Sequence, residues 1–258
     1  MVDNNNKGCV GFMTSKDEIN QIITKYHLNK DISLTSDSEL KWIVENIHAH
    51  NPFEKPDAYI ENSNVIYGIE HFQISLYKAN QKGDISQIAR GSQDNREKMC
   101  NDREFDFKPS IDNLLEALEK NMVSHAKSFI EYRNNLASYQ EEYRLIIFIE
   151  DSTESGYIVH KRETKPINPL LLDKVVEILL KYENDVWAIL LSTGNEYEKT
   201  LTGCTIGELK GMARDNKLLN SLDYTPFESE RKVHVSNKSR SEDKNTITLQ
   251  LFDRGTRS

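Results

Sequence analysis

The chain has 258 residues, with 33 basic and 41 acidic side chains and a formal charge of −8. Its longest apolar run, Val186–Leu191, is six residues long, far short of the ~20 that a membrane span needs. The charge is uneven, net +4 over residues 231–258 and −12 over residues 1–230, so the body does not offer the broad basic surface that coats nucleic acid without regard to sequence.

In chain order, Met1–Asn6 lacks the basic-then-apolar pattern of a signal peptide. Cys9, Cys100 and Cys204 are odd in number and far apart, giving neither a zinc pair nor a disulfide framework. Both features predict a reducing, cytoplasmic setting. Ile19, Ile22, Ile23 and Tyr26 predict a helix over 15–27. A second helix is predicted from a Ser36/Glu39 capping box and the stripe Leu40, Ile43, Val44, Ile47, ending before Asn51-Pro52. Two strands follow, 57–61 and 65–76, joined by a turn at Asn62–Asn64. Residues 78–109 are polar and aperiodic and are predicted to be a long, mobile insertion.

The stripe Ile111, Leu114, Leu115, Leu118, Met122, Ala126, Phe129, Ile130 predicts one long helix over 110–136. Residues 145–150 and 186–191 are apolar enough to be strands buried on both faces. Between them, Asn168-Pro169 caps a helix running to Tyr182. A short helix near 206–214 and a hairpin of 232–236 with 246–252 complete the pattern. The fold class is therefore α/β with partly parallel strands. The expected organisation is an N-terminal helical segment (1–35), an α/β core (36–192) and a C-terminal extension with the hairpin (193–258).

The stretch carrying chemistry is Glu54–Ile74. It sets Pro56-Asp57 at the start of one strand and Glu70 in the middle of the next, so hairpin pairing brings two carboxylates together. Like charges repel unless a cation lies between them, and oxygen ligands with room for water suit Mg²⁺ or Mn²⁺. Such an ion polarises a phosphodiester and acidifies an attacking water.

This arrangement resembles the PD-(D/E)XK nuclease superfamily over roughly residues 36–150. The resemblance implies a restriction-endonuclease-like mixed sheet flanked by helices, DNA or RNA as partner, and hydrolysis of phosphodiester bonds. By position it implies Asp57 and Glu70 as metal ligands, Glu45 as a supporting acid from the preceding helix, and the His71 carbonyl as a further ligand. The family's lysine position is Phe72 here. Gln73 stands in for it only where a bulge re-aims the strand, and Lys55, Lys78, His125 and Lys127 are the basic groups in reach of the region. The alternative is a nuclease-fold protein without catalysis, acting in nucleic-acid or protein binding.

Other motifs are absent. Gly203–Gly207 lacks phosphate-loop spacing, Ser152–Gly156 lacks that of a nucleophile elbow, and no cysteine has a neighbouring histidine in sequence. Arg231–Lys244 is basic and reads as a solvated hairpin loop.

Overall fold

A computed structural model describes residues 19–20, 23, 28–76, 103–107, 109–137, 142–151, 157–161, 163, 165–194, 199–227, 231–236 and 248–252, with the backbone alone at 103–107, 231–236 and 248–252. Its main element is a seven-stranded mixed sheet flanked by helices. Three strands form the parallel centre: β4 (Val65–Ile74), β6 (Glu142–Asp151) and β9 (Val186–Gly194). Beyond β4 lie β3 (Ala58–Asn62) and β2 (Asn51–Pro52), both antiparallel to their neighbours. Beyond β9 lie antiparallel β10 (Lys199–Thr205) and then β1 (Asn29–Asp31), parallel to β10. Thus β1 and β10, drawn from outside residues 36–192, are hydrogen-bonded members of the core sheet. The insertion 78–109 lies mostly outside the described residues, but within it β5 (Arg103–Phe107) is a strand.

Two smaller sheets complete the strands. One holds β7 (Tyr157–His160), β8 (Pro166–Ile167) and β11 (Tyr224–Phe227). The other pairs β12 (Arg231–Ser236) with β13 (Thr248–Phe252), the hairpin expected from sequence, and with β5.

Period-two alternation divides the central strands between two cores. Phe72, Ile74, Leu145, Ile147, Ile149, Ile189 and Leu191 face one side. There they meet α2 (Ile111–Ala126), α3 (Phe129–Leu136), α4 (Asp173–Leu180) and α5 (Ile206–Arg214) through Leu118, Phe129, Val176 and Leu209. Tyr67, Ile69, Ile146, Phe148, Ala188 and Leu190 face the other side, against Ile19 and the stripe Leu40, Ile43, Val44, Ile47 of α1 (Ser38–Asn46) and its 3₁₀ extension.

Three local expectations are corrected. Asp37, not Ser36, caps α1, its carboxylate accepting from the amides of Glu39 and Leu40, both at 2.9 Å. Ser36 instead donates to Glu208, which also closes a capping box with Thr205 on α5. The long helix over 110–136 breaks at Lys127-Ser128, leaving Ile130 75% exposed and turning Phe129 and Tyr132 into the core. The segment opened by Asn168-Pro169 begins as a 3₁₀ turn, and α4 starts only at Asp173.

Candidate active site

β3 and β4 pair with Ala58 opposite Ile69 and Tyr59 opposite Gly68. Continuing that register sets Asp57 opposite Glu70. Asp57 Oδ2 accepts from the His71 amide at 2.8 Å, so its carboxylate caps the ladder beside the peptide that follows Glu70. The chain enters through a cis Lys55-Pro56 bond. Gly68, two residues before Glu70 on the same face, is required by close approach. A Cβ there would lie 2.6 Å from the Tyr143 hydroxyl and 3.0 Å from Pro56 Cγ.

Glu70 is 5% exposed. Its Oε1 lies 2.6 Å from His125 Nδ1 and accepts from the Tyr132 hydroxyl at 2.7 Å. Both partners come from the α2–α3 pair, and the helix break brings Tyr132 inward. The ring of His125, 24% exposed, stacks on Phe72 with centroids 5.2 Å apart and planes at 21°. The position two residues beyond Glu70 is thus filled by an aromatic ring that supports a histidine on Glu70. Burial, then the bond that the hydroxyl donates to Glu70, raises the Tyr132 pKa, and the nearby charge of Asp57 adds to it. Burial and the charge of Glu70 likewise raise that of Tyr143, whose buried hydroxyl has no hydrogen-bond partner among the described residues.

The remaining expected site residues lie elsewhere. Glu45 is exposed on α1, which covers the opposite face of the sheet. No bulge interrupts β4 between Glu70 and Gln73, so Gln73 faces away from Glu70 and donates to Glu150 Oε2 at 2.7 Å. Lys55 pairs with Glu131 at 3.1 Å, Lys127 caps α2, and Lys78, Cys9 and Cys100 fall outside the described residues. Cys204 is buried, and burial followed by the charge of Glu208 pushes its thiol up to about 12, which suits no nucleophile.

A second polar group, unmarked in the sequence reading, occupies that opposite face near the C-terminal ends of the parallel strands. Glu150 accepts from Gln73 and Lys199, and His71 Nε2 lies 3.5 Å from its Oε2, close enough to feel its charge. Burial opposes ionisation of Glu150, but His71 and Lys199 outweigh it and hold the carboxyl at about 2. Lys199 reaches it across β9, over fully buried Ser192. A carboxylate ending the apolar run of β6 was the visible signal for this group.

No family profile, curated protein or solved structure matches this chain.

Among the described residues no three or more His, Cys, Asp or Glu side chains are arranged to hold a metal ion. The donor set at Asp57 and Glu70 nonetheless fits one kind of ion. Two hard carboxylates, with no hydrogen bond to Glu70 Oε2 among those described, match Mg²⁺ or Mn²⁺, which take few protein ligands and complete their shell with water and substrate phosphate.

Proposed function

We propose that this chain has a restriction-endonuclease-like fold and hydrolyses nucleic-acid phosphodiester bonds with a divalent ion held by Asp57 and Glu70. The observation that carries the reading is the Asp57 carboxylate on the amide directly after Glu70, which brings the two motif acids to one point of the hairpin. The order of a capped helix, a hairpin, a helical segment and a parallel strand around it supports the same fold. The ion, when bound, supplies charge for the phosphoryl oxygens and a more acidic water. Asp57 and Glu70 hold it, with Asp57 fixed by the His71 amide and Glu70 by Tyr132 and His125. Tyr143 and Pro56, close against Gly68, limit the room beside the pair.

Phe72 favours a second reading. Its ring leaves no ammonium in the motif position, as in a nuclease fold that binds nucleic acid or protein without cleaving. The test is cleavage of plasmid DNA and of RNA in Mg²⁺ or Mn²⁺ by the wild type and by Asp57→Ala. Metal-dependent cleavage lost in the variant supports the hydrolase. Cleavage that survives it excludes this site, and binding of nucleic acid without cleavage selects the second reading.

A further inference from the structure

We infer that Tyr132 is a positioning residue for Glu70, its hydroxyl fixing Oε1 of the carboxylate and leaving Oε2 as the oxygen offered to a divalent cation. The inference rests on the metal-binding reading of Asp57 and Glu70, and extends it to a residue that no motif marks.

Three observations lead to it. Both hydrogen bonds to Glu70 among the described residues fall on one oxygen, 2.7 Å from the Tyr132 hydroxyl and 2.6 Å from His125 Nδ1. A carboxylate that merely needed to be satisfied in the interior would be served as well by spreading donors over both oxygens. Second, Tyr132 is itself held. It is 4% exposed, and its ring centroid lies 6.2 Å from that of Phe129. Its amide donates to the Ser128 carbonyl at 2.9 Å, at the break that separates α2 from α3. That break leaves Ile130 in solvent and carries the phenol inward, an arrangement that forgoes apolar burial at Ile130. Third, a phenol is a neutral donor. It orients the carboxylate without placing a competing positive charge at the oxygen, as a lysine or arginine would. Groups that hydrogen-bond a ligating carboxylate from behind typically change metal affinity by ~10–100-fold when removed.

The experiment is Mn²⁺ titration of the full chain, followed by the electron paramagnetic resonance of free Mn²⁺ or by calorimetry. Wild type, Glu70→Gln, Tyr132→Phe and Phe129→Leu are compared. Phe129→Leu perturbs the same helix pair without touching Glu70, so it shows what general loosening does. Expected are Mn²⁺ binding by the wild type, its loss in Glu70→Gln, a Kd raised ~10-fold in Tyr132→Phe, and a lower Tm with unchanged Kd in Phe129→Leu. Wild-type affinity in Tyr132→Phe, with binding still lost in Glu70→Gln, overturns the role of Tyr132 and leaves the metal reading standing. Equal weakening in Tyr132→Phe and Phe129→Leu also overturns it, as a purely structural effect. A wild type that binds no Mn²⁺, or whose binding survives Glu70→Gln, overturns the metal reading and this inference with it.

Discussion

Replacing Lys199 by methionine removes an ammonium from a place where almost no water can take over. The side chains of Lys199 and Glu150 are 4% and 3% exposed. The carboxylate keeps Gln73 as a donor at 2.7 Å and His71 Nε2 at 3.5 Å, but loses its full positive charge. A carboxyl held at about 2, where 4.5 is its ordinary value, gains on the order of 3 kcal/mol of stability at ~1.4 kcal/mol per pH unit. Breaking one side of a buried pair costs ~3–5 kcal/mol in general. The expected loss at pH 7 is therefore about 3 kcal/mol, the low end, because Gln73 and His71 stay beside the carboxylate. For a chain of this size that lowers Tm by roughly 6–12 °C. Adding Glu150→Gln to Lys199→Met keeps an amide beside Gln73 and removes the stranded charge, so the double variant recovers most of the loss. The assay is urea unfolding with circular dichroism and tryptophan fluorescence, accepted only where the two transitions coincide. The folded-state pKa of Glu150 is depressed, so its contribution is complete above about 4.5 and disappears as pH falls through about 2. The deficit of the single variant should accordingly shrink below pH 4.5. A deficit under ~1 kcal/mol, the scale of an exposed ion pair, would refute the reasoning. So would a double variant no more stable than the single one.

Two further outcomes follow from close contacts and one from titration. Gly68→Ala forces a Cβ against the ring of Tyr143 and Pro56, an overpacking worth ~1–3 kcal/mol. Differential scanning calorimetry should show a lower Tm, partly restored by adding Tyr143→Phe, which removes the nearest atom. Tyr143→Phe alone deletes a buried hydroxyl without a partner among the described residues, so its Tm should match or exceed that of the wild type. Burial opposes ionisation of Glu208, but the Thr205 and Ser36 amides and the Thr35 and Ser36 hydroxyls hold it at about 2. Its tie to residues 35–37 is thus present above about 4.5 and lost as pH falls through about 2. Hydrogen exchange should show the Ser36 amide losing protection in that window, and Glu208→Gln should weaken it already at pH 7.

The parallel centre of the sheet was legible because a strand covered on both faces must be apolar throughout. Residues 145–149 and 186–191 state this directly, and the observed β6 and β9 contain them. β10 was missed for the converse reason. It is almost wholly buried, yet it reads Lys-Thr-Leu-Thr-Gly-Cys-Thr, with Lys199 satisfied by Glu150 instead of by water. β1, β2 and β8 span three, two and two residues, too few to show a period. The helix break at Lys127-Ser128 was invisible because apolar spacing continued through it to Ile130. The side chain that took the inward position was Tyr132, whose hydroxyl has a carboxylate to meet.

The same contrast explains the site. The meeting of Asp57 and Glu70 depends on a short hairpin, and hairpin register is set locally by the turn at Asn62–Asn64. Ser63 there adopts a positive φ of 56°, which helps keep the loop tight. Period-two alternation was then enough to decide Gln73, because three residues beyond Glu70 with no bulge it must point away from it. What replaced the lysine required knowledge that no local pattern carries. His125 and Tyr132 are 55 and 62 residues beyond Glu70 and converge on one of its oxygens through helix packing. Phe72 links the two levels. As a residue it puts no ammonium two positions beyond Glu70; as a ring it is the surface on which His125 rests. Phe72→Lys therefore does not simply restore a motif. It places an ammonium beside Glu70 while removing the support of His125, so the same substitution that supplies the missing charge also releases one of the groups holding the carboxylate.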